Sequence, residues 1–240
     1  AMAMQGSGIG GVDVGSVQLK LNDDGFYTLM IGCSDMGTGC DTILAQMAAD
    51  GLGCDMDNII VRGVDTDQSP YDSGSYASST TYVTGGAVVK ACESMRKRIC
   101  EEAAAIMGLK SGEVDFDGET ISENDNPEHS MTLSDLITSL EAGNGRIIEV
   151  TESHTSPVSP PPFMAGAAEI EVDLETGKIT PINYVAAVDC GTVINTNLAR
   201  IQTEGGIVQG MGMTLYEDVQ YTEAGKMKNR NFMSYKIPTR

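Results

Sequence analysis

The sequence predicts an α+β fold made of two similar lobes, each of β-hairpins packed with helices. Three observations carry that prediction. Short runs alternate apolar and polar residues on either side of turn residues. Longer runs repeat apolar residues every three or four positions. A proline-rich stretch then separates two regions that share a hairpin-then-helix plan.

The elements follow in order. Val17, Leu19 and Leu21 alternate with polar residues, Asp23-Asp24-Gly25 turns the chain, and Tyr27, Leu29 and Ile31 alternate again. This reads as a β-hairpin. Residues 41–52 place Ile43, Leu44, Met47, Ala48 and Leu52 on one helical face, with Asp41 or Thr42 as cap and Gly53 as the end. Ile59-Ile60-Val61 is a strand. A helix from Tyr82 to Met107 follows, with Val88, Cys92, Met95, Ile99, Ala103 and Met107 on its buried face. Gly85 and Gly86 near its start lower helix propensity, which fits a close approach by another element. Residues 108–131 are acidic and turn-rich, with a short hairpin around Asp117-Gly118. Thr132 and Asp135 have the spacing of a capping box that opens a helix to Glu141.

Pro157, Pro160, Pro161 and Pro162 lie in an extended crossing over residues 153–163. The first lobe is therefore residues 1–152 and the second is residues 164–240. In the second, Ala167–Val172 and Lys178–Val188 flank Asp173-Leu174-Glu175-Thr176-Gly177 as a second hairpin. A helix begins at Asn195 and ends near Leu215. Its Gly205, Gly206, Gly210 and Gly212 each cost roughly 1 kcal/mol against alanine, which suggests contact with a backbone or ligand. A third hairpin turns at Glu223-Ala224-Gly225.

The 240 residues carry 15 basic and 34 acidic side chains, a formal charge of −19. That balance disfavours nucleic acid and anionic membrane as partners. No apolar run approaches the ~20 residues of a membrane span, and the start lacks the pattern of a signal peptide. Six cysteines show no CxxC pair, so reduced thiols and a cytoplasmic location are expected. His129 and His154 both sit in polar, turn-rich sequence, which argues against a histidine metal site. No nucleophile–histidine arrangement is legible.

Two loops stand out. Met36-Gly37-Thr38-Gly39-Cys40-Asp41-Thr42 and residues 73–81 are small or hydroxylated, and each leads into a helical pattern. Open backbone amides at a helix N-terminus suit an anion, phosphate above all. In the second loop, Ser73, Ser75, Tyr76, Ser78, Ser79, Thr80 and Thr81 add hydroxyl groups. Either loop could also be only a turn that enters a helix. Gln202 and Gln209, seven residues apart with glycines between, suit a heterocycle with edge donors and acceptors, such as a pterin.

In sequence order, Ser34-Asp35-Met36-Gly37-Thr38-Gly39, Asp65-Thr66-Asp67, Gly74-Ser75-Tyr76-Ala77-Ser78-Ser79 and Gly85-Gly86-Ala87-Val88 are followed by Asp189-Cys190-Gly191-Thr192-Val193-Ile194-Asn195, Gln202 to Gly212, and Tyr235-Lys236-Ile237-Pro238-Thr239. This series resembles the C-terminal half of the molybdenum-cofactor-binding large subunit of the xanthine dehydrogenase and aldehyde oxidase family. The resemblance implies hydroxylation of a heterocycle or aldehyde with water, on a molybdopterin cofactor. It implies that Gly37, Thr38, Gly39, Ser78, Ser79, Thr80 and Gln202 hold the cofactor. Ala77 would lie beside the metal, with no direct protein ligand to it, and Tyr76 would face the substrate pocket. FAD and [2Fe–2S] clusters would reside on other domains or subunits. The N-terminal half of the large subunit would complete the site.

Two departures matter. The family commonly has glutamine where this chain has Thr38. The catalytic glutamate of the family lies beyond the Tyr-Lys-Ile-Pro motif, hence beyond Arg240, so the resemblance predicts a fragment that is inactive alone. The competing expectation is a non-catalytic binding or scaffold module that keeps the fold. A module for an ordinary nucleotide ranks lower, because no Gly-x-x-x-x-Gly-Lys loop is present.

Overall fold

The computed structural model describes residues 1–145 and 147–238. Thr239, the end of the Tyr-Lys-Ile-Pro-Thr match, and Arg240 lie outside the described residues. In chain order the elements are β1 (Met2–Met4), β2 (Gly15–Leu21), β3 (Tyr27–Ile31), α1 (Cys40–Leu52), β4 (Ile59–Arg62), α2 (Thr80–Met107), β5 (Val114–Phe116), β6 (Thr120–Glu123), β7 (Asn126–Thr132), α3 (Leu133–Asn144), β8 (Ile148–His154), β9 (Phe163–Val172), β10 (Ile179–Asp189) and α4 (Thr196–Leu215). This is a mixed helix-and-sheet fold, as the alternating and helical periods require. The chain divides into two compact units. One is Gly6–Pro161; the other joins Ala1–Gln5 to Pro162–Arg240.

In the unit Gly6–Pro161, one sheet has the order β4-β3-β2-β8. β2 pairs antiparallel with β3 and with β8, whereas β3 pairs parallel with β4. The parallel pair needs a crossover, and α1 supplies it. Alternate residues Val17, Leu19 and Leu21 of β2 and Tyr27, Leu29 and Ile31 of β3 are buried. They share one core with Leu44, Ala48 and Leu52 of α1 and Ala87, Val88, Ala91, Met95 and Ile99 of α2. Glycine lets the layers close. A Cβ at Gly85 would stand 2.8 Å from the Met47 methyl group of α1, and one at Gly86 would collide with the His154 ring. A second sheet, β5-β6-β7, completes this unit with α3, which Thr132 and Asp135 open with a reciprocal capping box. Arg96 of α2 donates to the Leu52 carbonyl at 3.1 Å and to the Phe116 carbonyl, tying α1 and β5 to one side chain.

In the other unit, β1 and β10 flank β9, all antiparallel. The Asn195 carboxamide caps α4 by accepting from the Leu198 amide at 3.0 Å. Gly212 alone is buried among the described residues of this unit, and no hydrophobic side chain is.

Several expectations need correction. Asp41 and Thr42 do not cap α1; Gly39 does, in left-handed geometry (φ 77°) without a side-chain bond. His129 and His154 lie on strands β7 and β8, not in turns. The short hairpin expected around Asp117-Gly118 is present, with β5 antiparallel to β6, and β7 extends it to a three-stranded meander. The turn at residues 223–225 joins a single bridge, Tyr221 to Met227, and not two strands. Gly205, Gly206 and Gly210 have no atom within 4 Å of a built Cβ, so no backbone approaches them among the described residues. No helix of the described residues is long and apolar enough to cross a membrane.

Candidate cofactor-binding loops

The first loop leaves the C-terminal end of β3 and enters α1. The second precedes α2, whose 28 residues align many peptide dipoles toward it. The two loops meet. The Ser75 hydroxyl donates to the Ser34 carbonyl at 2.8 Å. Gly32 lies where a Cβ would strike the Pro70 carbonyl and the Asp72 side chain. Glycine is required there because the segment before the second loop runs directly over it.

The expectation of open amides in the first loop is overturned. The Asp35 carboxylate accepts from the Gly37 amide at 2.8 Å, the Gly39 amide at 3.2 Å and the Asp41 amide at 3.4 Å. The loop has folded its amides around a carboxylate of its own. Burial works to raise the Asp35 pKa, but the amides of Gly37, Gly39, Asp41 and Thr38 outweigh it and hold the group below the usual carboxylate range. Thr38 is half-buried. Beneath the loop the Cys33 thiol hydrogen-bonds to Cys40, which raises Cys33 and lowers Cys40. Both are buried, so they act as small core side chains.

The second loop keeps more of its capacity. The Gly74 amide donates to Asp72, the Tyr76 amide to the Gly74 carbonyl and the Ser79 amide to the Tyr76 carbonyl. The amides of Ser75, Ala77 and Thr80 have no acceptor among the described residues. Ala77 (φ 52°) and Ser78 (φ 56°) are the only non-glycine residues at positive φ among the described residues. Such backbone costs of order 1 kcal/mol or more per residue and gathers at functional sites. The Asp72 carboxylate braces the loop from below, accepting from the Gly74 amide at 2.8 Å and the Thr84 hydroxyl at 2.9 Å.

Tyr76 is tied down at its far end. Its hydroxyl donates to the Asp13 carboxylate at 2.6 Å, and that bond raises the phenol above its usual pKa. Asp13 is 2% exposed and escaped the sequence reading. The only available signal was an acid between Val12 and Val14, just ahead of β2. Gln202 lies exposed on α4, in the unit that contains Pro162–Arg240.

An open cleft of about 350 Å³ between β2 and α3 is lined by Lys20, Asp23, Leu140, Glu141 and Ile147 among others. It opens beside the β2–β3 turn, at the opposite end of the sheet from both loops, and its two carboxylates make it a poor anion site.

A family model described as "Molybdopterin cofactor-binding domain" matches residues 1–240. The chain belongs to this family of molybdenum hydroxylase cofactor-binding domains. It is 32% identical over 239 residues to the Escherichia coli protein named "Probable hypoxanthine oxidase XdhD", covering 99% of this chain and 25% of that protein. It is 29% identical to the nicotine 6-hydroxylase large subunit of Paenarthrobacter nicotinovorans, over 98% of this chain and 30% of the relative. Among solved structures, quinoline 2-oxidoreductase from Pseudomonas putida superposes with TM-score 0.86 at 25% identity, covering 99% of this chain and 32% of that one. The aldehyde oxidoreductase of Desulfovibrio desulfuricans gives 0.76 at 26% identity, over 99% of this chain and 24% of that one. The chain thus spans about a quarter to a third of the length of these relatives.

The residues present suit such a cofactor better in one loop than in the other. The second loop offers free amides and neutral hydroxyls at a helix N-terminus, which suits a polar, phosphate-bearing pterin. The first loop's Gly37 and Gly39 amides are committed to Asp35.

Proposed function

We propose that this chain forms one wall of the molybdopterin site of a molybdenum hydroxylase that hydroxylates a heterocycle or an aldehyde with water. The observation that carries the reading is the second loop, strained at Ala77 and Ser78, aimed by α2 and docked on the first loop through Ser75. The cofactor, when bound, supplies the two-electron oxidation. The chain's own residues supply placement. Ser78, Ser79 and Thr80 present donors at the start of α2. Ala77 leaves room beside the metal. Gly37, Thr38 and Gly39 contribute the first loop. In the other unit, the Gln202 carboxamide is a group that can both donate to and accept from a heterocycle. Tyr76 provides an aromatic wall for substrate. Relatives named for hypoxanthine, nicotine and quinoline favour a nitrogen heterocycle within the two substrate classes.

In this reading residues 1–240 lie in the C-terminal part of a large subunit, and the base that activates the attacking oxygen is not among them. The N-terminal half of that subunit, together with iron–sulfur and flavin domains or subunits, completes a cytoplasmic enzyme. The chain alone is inactive. The test is metal analysis and dye reduction with purines, quinolines and aldehydes, run on the full-length subunit with its partners and on residues 1–240 alone. Molybdenum and turnover in the former only is the expected result. Stoichiometric molybdenum and turnover in the latter would refute the one-wall reading.

A second reading is a binding or scaffold module without chemistry. Asp35 favours it, because a loop that fills its amides with its own carboxylate has less to offer a cofactor. An assembled full-length enzyme without molybdenum would decide for it.

A further inference from the structure

Residues 7–14 hold no regular element, yet several of their backbone groups are hydrogen-bonded within the unit Gly6–Pro161. The Gly8 amide donates to the Ala77 carbonyl at 2.7 Å, and the Ser159 hydroxyl donates to the Gly8 carbonyl at 2.6 Å. Val14 and Ser73 exchange two bonds, amide to hydroxyl and amide to carbonyl, each at 2.9 Å. Gly11 donates to the Ser156 carbonyl at 2.7 Å. A Cβ at Gly8 would stand 3.1 Å from Asp13 and 3.3 Å from Ser79, so the segment lies flush against the start of α2. At its centre sits Asp13, buried, with one oxygen on the Ile9 amide at 2.7 Å and the other on the Tyr76 hydroxyl at 2.6 Å.

We infer that Asp13 is a positioning residue for the second loop. It acts through Tyr76 to hold Ala77 and Ser78 in their left-handed backbone, and so keeps the loop in its ligand-holding shape. Three facts converge on this. The two strained residues directly follow Tyr76. The Ala77 carbonyl is bonded by the same segment that carries Asp13. A buried carboxylate is costly unless its oxygens are satisfied, and here one of the two found bonds is to that tyrosine. Fixed at both ends, the tyrosine ring cannot swing, so the backbone beyond it has one way to turn. A relaxed loop would return Ala77 and Ser78 to ordinary φ and misdirect the amides of Ala77 and Thr80.

This inference rests on the proposal that the second loop holds molybdopterin, and its test separates the two. The full-length enzyme is prepared as wild type, Tyr76→Phe, Asp13→Asn, and the double variant. Molybdenum per subunit, the melting temperature and the titration of tyrosine absorbance at 295 nm are measured on each. The inference expects molybdenum content to fall at least threefold in Tyr76→Phe, while its melting temperature stays within about two degrees of wild type. It expects the double variant to lose little more than the worse single variant, since both changes break one bond. It also expects one late-titrating tyrosine to be absent from Tyr76→Phe and to move to lower pH in Asp13→Asn. Full molybdenum in Tyr76→Phe, or additive losses in the double variant, would overturn it. Wild type without molybdenum would instead defeat the cofactor reading, and the tyrosine titration would still report on the Asp13–Tyr76 bond.

Discussion

The two compact units differ in what they have inside. In Gly6–Pro161, side chains from β2, β3, α1 and α2 meet in a continuous interior, and Leu19, Leu29, Leu44, Met95 and Ile99 are fully buried. In the unit of Ala1–Gln5 and Pro162–Arg240, three strands pair and a helix forms, yet Ile170, Ile182, Val185, Ile201, Val208 and Met213 are each about half exposed or more. Strand pairing and helix formation fix the path of a chain, but burial of apolar surface supplies most of the free energy that keeps it folded. A sheet face and a helix lined with Ile, Val and Met are therefore surfaces made to be covered.

The largest expected effect is a split in autonomy. Residues 6–161 expressed alone should melt in one cooperative transition, whereas residues 162–240 alone should show none and should bind an apolar dye. A sharp transition in the second piece would erase the distinction. Within the whole chain, the asymmetry should reappear residue by residue. Leu29→Ala and Phe116→Ala should each cost about 2–5 kcal/mol in denaturant unfolding. Val185→Ala and Ile170→Ala should stay within about 0.5 kcal/mol of wild type. Comparable losses at all four positions would mean that both units have a working interior.

The smallest effect concerns the first loop. The Asp35 pKa is lowered in the folded chain, so the stabilisation from its amide bonds is complete above the unfolded value of about 3.9 and is lost as pH falls through the lower folded value. The Gly37 and Gly39 amide proton shifts should follow that titration in NMR spectra, and Asp35→Asn should abolish the dependence. Shifts that stay flat to pH 2 would show that the carboxylate does not hold those amides.

What could be read from the sequence is what local rules dictate. The β2–β3 turn, the helical face from Val88 to Met107, the Thr132–Asp135 cap and the asparagine that opens α4 all follow from spacing and side-chain chemistry. Pairings across long separations could not be read. β8 joins β2 across more than a hundred residues, and β1 joins β9 across still more. Nothing in Met2-Ala3-Met4 specifies a partner, because strand preference depends on the surface it meets. The site divided the same way. Its loops were visible as glycine and hydroxyl clusters. Asp13 was not, because its importance comes from burial beneath a tyrosine 63 positions later. Asp35 was visible as a residue of the motif, but an acid beside a glycine loop does not announce that it will turn inward and take the amides.

That inward turn makes the first loop a lock that already contains a key. A visiting anion cannot simply add to Gly37 and Gly39; it must trade places with a carboxylate tethered two residues away. Entry there is a displacement, in which the expelled side chain either swings into water or picks up a proton. Acidic conditions would ease the exchange, and neutral ones would keep the resident in place.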